Sequence, residues 1–131
     1  MTTCFSNDSG VSPRAAHEFS RIGLLAELPG ETLAKLAAQM RREKLAPGQG
    51  VVVEGEKGER FYVVLDGMLS VSQSALGPRR VLVPGDYFGE VALAMDIPRT
   101  ATVRALTPAT VASCDRATFD EFIRPLFADD A

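Results

Sequence analysis

The feature that most constrains the fold is an unbroken succession of short strand-like runs between residues 51 and 114. The runs are rich in β-branched or aromatic residues and read "VVVEG", "RFYVVLDG", "MLSVSQ", "RRVLVPG", "TATVRAL" and "ATVASC". Glycine, proline or aspartate separates them at intervals typical of an all-β sandwich or barrel. Five glycines fall where a run ends and are interpreted as turn residues: Gly55, Gly58, Gly67, Gly77 and Gly85. Because the runs are contiguous and do not alternate with helices, a doubly wound α/β fold is excluded.

Helical patterns flank the strand region on both sides. Apolar side chains recur at helical spacing in "AHEFSRIGLLAEL" (16–28) and in "ETLAKLAAQMRREK" (31–44). After the last strand, "DRATFDEFI" (115–123) is helical again, with Asp115 as a plausible N-cap. A break or bend is expected before Pro125, because proline removes a helical hydrogen bond and its ring clashes with the preceding turn.

These patterns predict a mainly β fold with flanking helices. We expect a β-roll or jelly-roll-like barrel of about eight strands, with N-terminal helices and a C-terminal helix. Residues 1–14 are polar and predict a flexible leader, and residues 15–131 are predicted to form the domain. A chain of 131 residues supports one such domain with one core.

Charge and cysteine usage exclude several classes of function. The net charge is −3 and the basic residues are scattered, which argues against a nucleic-acid surface on this chain. The short basic groups at 41–44 and 79–80 are interpreted as solvated faces or strand-edge guards. No apolar run reaches the roughly 18 residues of a membrane span, and no secretory signal is evident. Cys4 and Cys114 lie far apart without CxxC spacing, which suits a reducing cytoplasm.

Catalytic side chains are sparse. His17 is the single histidine, so neither a histidine-rich metal site nor a Ser–His–Asp arrangement is favoured. No GxxxxGK[ST] loop is present. We therefore expect no enzymatic activity, no metal and no cofactor.

The most unusual stretch is "FGEVALAMDIPRTATVRA" (88–105), which combines an acid and an arginine with backbone-shaping residues. Gly89 would let the backbone approach a ligand closely. Arg99 follows a proline and offers a fork of donors matched to two phosphate oxygens. Glu90 can accept a hydrogen bond from a hydroxyl. Two interpretations stay open at this point: a nucleotide-like ligand, or a salt bridge between Glu90 and Arg99 that braces the turn.

The same stretch resembles the phosphate-binding cassette of the cyclic nucleotide-binding domain family. The family pattern of F-G-E, two small or apolar residues, L, a short variable stretch, P-R, a small residue and A is met without a gap. Upstream, "LLAELPGETLAKLA", "PGQGVVVEGEKGERFYVVLDGMLSVS" and "VLVPGDYFGE" resemble the family's entering helices, its strand–glycine signature and its approach to the cassette. The resemblance covers roughly residues 20 to 127.

The resemblance implies a cyclic nucleotide ligand, cyclic AMP first and cyclic GMP as the alternative. The implied binding residues are Leu82, Phe88, Gly89, Glu90, Val91, Ala92, Arg99, Thr100 and Ala101. In this family, Arg99 would pair with the cyclic phosphate and Glu90 would accept a hydrogen bond from the ribose 2′-hydroxyl. Backbone N–H groups of the Gly89, Val91 and Ala92 positions would complete these contacts. Thr100 would reach the phosphate or the purine, and Leu82 would pack against the base or serve only the core.

A cytoplasmic sensor domain is the function that the resemblance implies, with an effector domain or protein partner contacting the flanking helices. The chain ends with "PLFADDA" (125–131), so the helix that closes over the base in family members is expected to be truncated or absent. Two alternatives remain. One is a protein-interaction domain of the same fold that binds no nucleotide, and the other is the sensor part of a transcription regulator.

Overall fold

A strand region framed by helices makes up the part of the chain that the computed structural model describes, which is residues 19, 22–26 and 28–128. The elements are, in order, α1 (Gly30–Gln39), β1 (Arg41–Leu45), β2 (Gly50–Val52), β3 (Arg60–Asp66), β4 (Leu69–Gln73), β5 (Gly77–Leu82), β6 (Tyr87–Phe88), α2 (Glu90–Met95), β7 (Thr102–Ala105) and β8 (Ala109–Asp115). A C-terminal helical segment follows, composed of α3 (Arg116–Thr118), a π-helical turn (Phe119–Ile123) and α4 (Arg124–Ala128). No helix among these residues is long and apolar enough to cross a membrane.

The strands form two four-stranded antiparallel sheets, which confirms the predicted mainly β fold. One sheet has the order β1-β8-β3-β6 and the other has the order β2-β7-β4-β5. Successive side chains of a strand point to opposite faces, so the buried strand β3 contributes to two cores. Phe61 and Val63 pack with the helices, whereas Tyr62 and Val64 pack inside the barrel with side chains of the second sheet. The first core packs the helices against the barrel, and the second core fills the interior of the barrel between the two sheets.

Strand β1 corrects the prediction of a helix that continues to residue 44. Helix α1 ends at Gln39, and Met40 is already extended, with φ −86° and ψ 142°. Strand β1 then pairs with β8, in register from Arg41 opposite Ser113 to Leu45 opposite Ala109. The exposed polar residues of β1 carry no period of their own, and pairing with β8 overrides their helix propensity. Because β1 and β5 are each an edge strand of their sheet, both basic groups lie on edge strands, as one interpretation expected.

The first predicted helix, residues 16–28, lies partly outside the described residues. The predicted leader, residues 1–14, lies entirely outside them. Residues 22–26 are consecutive turns and not an α-helix. The Ile22 amide donates to the Phe19 carbonyl at 3.0 Å, and the Leu25 amide donates to the Ile22 carbonyl at 2.9 Å. Spacing of three along the chain places these buried side chains on one face of a three-residue turn. The exact period of three was the available signal for this tighter geometry.

The sequence predicts a break or bend before Pro125; the break is wrong, because the helical segment continues through Pro125, and a local distortion of the helix takes its place. A π-helical turn precedes the proline, and the Arg124 amide donates to the carbonyl of Phe119, five residues earlier. This wider turn accommodates a residue that cannot donate a hydrogen bond and whose ring would crowd an α-helical turn. The helix is therefore locally widened to a π-helical turn before Pro125, and α4 follows directly.

Asp115 is the N-cap of this segment, as the sequence predicts, and a stability prediction follows. Its carboxylate accepts a hydrogen bond from the Thr118 amide at 2.9 Å, and such bonds from Thr118 lower its pKa. Asp115→Ala is expected to reduce the free energy of unfolding by about 1 kcal/mol. Since folding lowers the pKa, this difference is fully present above about pH 4 and disappears as the pH falls through the folded-state pKa.

Chemical denaturation of both chains at pH 7 and at several acidic pH values measures that effect. Asp66→Ala is the matched control, since Asp66 is an exposed aspartate at the end of a strand. Equal losses in both variants, or a loss that persists in strong acid, would contradict the capping role of Asp115.

Candidate functional site

The connection from β6 to α2 builds the cassette. Gly89 is the N-cap of α2 and has φ +95°, in the left-handed region that glycine adopts without strain. A Cβ at this position would lie 2.8 Å from the Arg99 Nη1 atom and 2.9 Å from the Arg60 carbonyl oxygen. Glycine is therefore required here twice, once for the backbone conformation and once for the close approach of Arg99. The short run "EVALAM" is helical as predicted.

The nine residues implied by the family resemblance all line one cavity of about 250 Å³. It opens beside α2, between the cassette and the second sheet. Five further residues share its wall, and sequence reasoning did not single them out. They are Val52, Val71, Arg80, Tyr87 and Val103. The wall thus combines the cassette's polar groups with aliphatic side chains of β2, β4 and β7.

Arg99 is the one charged side chain among the buried residues of the described chain, with 7% exposed. Its backbone is fixed on both sides: its amide donates to the Glu56 carbonyl at 2.7 Å, and its carbonyl accepts from the Gly55 amide at 2.8 Å. The guanidinium donates from Nη2 to the Arg60 carbonyl at 2.9 Å. A longer contact of 3.4 Å runs from Nη1 to the Gly89 carbonyl. Arg99 is therefore a rigidly mounted cation at the wall of the cavity.

The alternative of a bracing salt bridge between Glu90 and Arg99 is not what the structure contains. The salt bridges among the described residues join Lys57 to Glu59, Arg116 to Asp96 and Arg124 to Asp120. Burial lowers the pKa of the Arg99 guanidinium, and the nearby Tyr62, Glu59 and Glu90 act in the opposite direction. A guanidinium with a pKa near 12 in water still stays charged. The site thus presents a desolvated cation whose hydrogen-bond partners are neutral carbonyls, which suits an anionic ligand.

Gly58 corrects a sequence interpretation that assigned it, with four other glycines, to a turn. It is buried, and a Cβ there would lie 2.6 Å from the Ala92 Cβ and 2.9 Å from the Arg99 Cζ and Nε atoms. Its backbone φ lies outside the left-handed region, so space and not conformation requires glycine. Gly58 leaves room for the Arg99 guanidinium beside α2.

The two residues whose roles stayed open occupy different environments. Leu82 is 1% exposed and belongs to the barrel core, yet it also lines the cavity, so the two interpretations of this residue are compatible. Thr100 is exposed and lines the cavity, and its carbonyl accepts a hydrogen bond from the Gln73 side chain at 2.9 Å. That bond ties the cassette's last residues to β4.

This fold and this cassette define a class of protein. The profile described as the cyclic nucleotide-binding domain matches residues 42–125, and the chain belongs to this family. The matched range begins in β1 and ends in α4, so it contains the barrel and the entire cassette.

Curated relatives are regulatory subunits of cAMP-dependent protein kinase. The chain is 42% identical to the subunit of Eremothecium gossypii over 103 residues, which cover 79% of this chain and 22% of the relative. It is 39% identical to the subunit of Candida albicans over 105 residues, which cover 80% of this chain and 23% of the relative. The chain thus spans less than a quarter of the length of these two relatives.

Solved structures share the fold. The regulatory domain of Toxoplasma gondii PKA, crystallised with cAMP, is 26% identical with a TM-score of 0.81, covering 90% of this chain and 49% of that chain. The regulatory subunit of a cAMP-independent protein kinase A from Trypanosoma brucei is 23% identical, also with a TM-score of 0.81, covering 88% and 44%. The second likeness concerns the fold alone.

Proposed function

We propose that this chain is a cyclic nucleotide sensor module that binds cyclic AMP in the cassette cavity and performs no chemical step itself. The observation that carries this proposal is Arg99, a buried cation on the cavity wall without a carboxylate partner in the described residues. A cyclic phosphate would supply the missing negative charge. Its two exocyclic oxygens match the fork of donors on a guanidinium.

The remaining cavity residues suit the other parts of such a ligand. The Glu90 carboxylate is half-buried on the cavity wall and can accept a hydrogen bond from the ribose 2′-hydroxyl. Backbone N–H groups near Gly89, Val91 and Ala92 complete the phosphate and ribose contacts, because the first amides of a helix lack partners within it. Aliphatic walls receive the base.

The fold alone does not assign the ligand, since it also occurs in a subunit described as cAMP-independent. The relatives named as cAMP-dependent and the neighbour solved with cAMP support cyclic AMP here. Arg99 supplies an independent physical reason for a cyclic phosphate, which cyclic AMP and cyclic GMP share.

Amide NMR titration with cyclic AMP tests the assignment. The largest chemical-shift changes are expected at residues 89–92 and 99–101, with adenosine as the matched ligand that lacks the phosphate. Adenosine should change the chemical shifts of the aliphatic residues that line the cavity but not those of the Arg99 side chain. Changes confined to other surfaces, or none at all, would contradict the proposal and favour a protein-interaction domain of the same fold.

Cyclic GMP is a second candidate because of a residue on the β5 edge. Arg80 is an exposed residue of that strand and lines the cavity. The Hoogsteen edge of guanine presents two acceptors, O6 and N7, which a guanidinium can bind together, whereas adenine replaces one acceptor with a donor. Arg80 is therefore placed to favour guanine.

Arg80→Ala is expected to weaken cyclic GMP binding by about tenfold and to change cyclic AMP binding less than threefold. Arg79→Ala, the exposed neighbour outside the cavity wall, is the control and should alter neither. Calorimetric titration of each variant with both nucleotides measures the ratio of the cyclic GMP affinity to the cyclic AMP affinity. A parallel loss for both ligands would show that Arg80 contributes only general electrostatic attraction.

The proposed output is a ligand-dependent shift in the C-terminal segment, which an effector domain or partner protein would detect. The carbonyl of Leu93, in α2, accepts hydrogen bonds from Arg116 at 3.1 Å and from Arg124 at 3.3 Å. Ligand contacts at one end of α2 can therefore bias the segment attached to its other end, provided that the two states bind ligand differently. A cytoplasmic location is part of the proposal and fits Cys114, which is buried and free.

A further inference from the structure

The guanidinium of Arg99 lies over the ring of Tyr62. The Cζ atom is 5.9 Å from the ring centroid, within the distance at which a cation is attracted to an aromatic face. Tyr62 is 8% exposed and Arg99 is 7% exposed. Both side chains are largely buried, and their separation lies close to the outer limit of about 6 Å for such an attraction.

The ring of Tyr62 is itself held in place. It stacks on Phe88 with centroids 4.8 Å apart and planes 2° from parallel, across the pairing of β3 with β6. Phe88 precedes Gly89, and Arg60 lies two residues before Tyr62 on β3. The carbonyls of Gly89 and Arg60 accept the hydrogen bonds that the Arg99 guanidinium donates. The two hydrogen-bond acceptors and the aromatic ring that orient the guanidinium thus come from β3 and from Gly89, which follows β6 directly.

We propose that Tyr62 is a positioning residue for Arg99, whose aromatic face holds the guanidinium in the orientation that receives a cyclic phosphate. The two carbonyls restrain the guanidinium through its N–H groups, and the ring limits its displacement away from them. Bidentate binding of phosphate requires such a fixed orientation. The competing interpretation is a core aromatic residue that contributes packing alone. The ligand part of this inference rests on the proposed function, whereas the contact is a property of the free protein.

NMR of the Arg99 Nε–H group in the ligand-free protein tests the contact. Its resonance, assigned by its absence in Arg99→Lys, should be displaced by the ring current of Tyr62 and exchange slowly with water. In Tyr62→Leu the displacement should vanish and exchange should accelerate about tenfold, whereas Tyr62→Phe should preserve both. An unchanged resonance in a folded Tyr62→Leu chain would overturn the proposal whether or not a nucleotide binds. If that variant does not fold, Tyr62→Met serves with the same readouts.

Ligand titration separates positioning from packing. Tyr62→Leu should weaken cyclic AMP binding by about tenfold while leaving the affinity for adenosine unchanged, because only cyclic AMP uses Arg99. Equal losses for the two ligands would establish a packing role and overturn the proposal. If the unmodified chain binds neither ligand, the proposed function fails instead, and the Nε–H measurement alone decides the role of Tyr62.

Discussion

Arg99→Ala is expected to weaken cyclic AMP binding by roughly two to four orders of magnitude. Removing one partner of a buried charge pair typically costs about 3–5 kcal/mol, because the remaining charge is left desolvated without compensation. In the complex that remaining charge would be the cyclic phosphate. The backbone of Arg99 would keep its hydrogen bonds to Gly55 and Glu56, so the turn itself should persist. Calorimetric titration of both chains measures the difference.

Arg99→Lys is the matched control for charge. Lysine keeps a cation but lacks the planar fork of donors, so an intermediate affinity is expected. Thermal unfolding of each variant separates lost binding from lost structure. If Arg99→Ala binds cyclic AMP as tightly as the unmodified chain while remaining folded, Arg99 is not the phosphate-binding residue.

Gly58→Ala is expected to weaken cyclic AMP binding by about 10- to 100-fold without changing any charge. The new Cβ would lie 2.6 Å from the Ala92 Cβ and 2.9 Å from the Arg99 guanidinium, so α2 or Arg99 must shift. Insertion of a methyl group into a filled interior costs about 1–3 kcal/mol. That strain falls directly on the two elements that would hold the phosphate. Calorimetric titration measures how much of the strain weakens cyclic AMP binding, and thermal unfolding measures how much of it destabilises the fold.

Gly30→Ala is the control for the same substitution elsewhere. A Cβ at Gly30 meets no atom within 4 Å, and its φ is not in the left-handed region, so this variant should retain affinity and stability. The cavity account predicts a large difference between the two alanine variants. Similar affinities for both would mean that the packing around Gly58 does not control Arg99.

The strands and helices that carry their own pattern were predictable from the sequence. Each of the six β-rich runs overlaps an observed strand, and Asp115 caps its helix as expected. Strand β1 was missed because its polar residues acquire their structure from pairing with β8. The two-residue strand β6 is too short to show a period. The widened turn before Pro125 was not predicted, because a proline indicates that the α-helical hydrogen bonding is interrupted but not whether the helix breaks or widens.

The cassette shows the same division between local pattern and tertiary contact. Eight of the nine residues implied by the resemblance belong to one contiguous motif, Leu82 lies on the preceding strand, and all nine line one cavity. Gly58 and Tyr62 come from a segment about 40 residues earlier, which β3 brings against Arg99. Sequence spacing could not decide whether Arg99 pairs with Glu90 or is left to bind a phosphate. The direction of the guanidinium depends on its hydrogen bond to the Arg60 carbonyl, which the sequence does not reveal. The segment "GERFY" contained the missing residues, but only the fold gives their proximity.

Calorimetric titration of the unmodified chain with cyclic AMP, cyclic GMP and adenosine determines whether the cavity binds a cyclic nucleotide through its phosphate. Cyclic AMP is expected to bind saturably at a single site, with an affinity far above that of adenosine, because the phosphate pairs with the buried Arg99. Comparable affinities for cyclic AMP and adenosine would show that the guanidinium does not receive the phosphate. A folded chain that binds neither cyclic nucleotide would contradict the sensor assignment and favour a domain whose fold serves protein contacts.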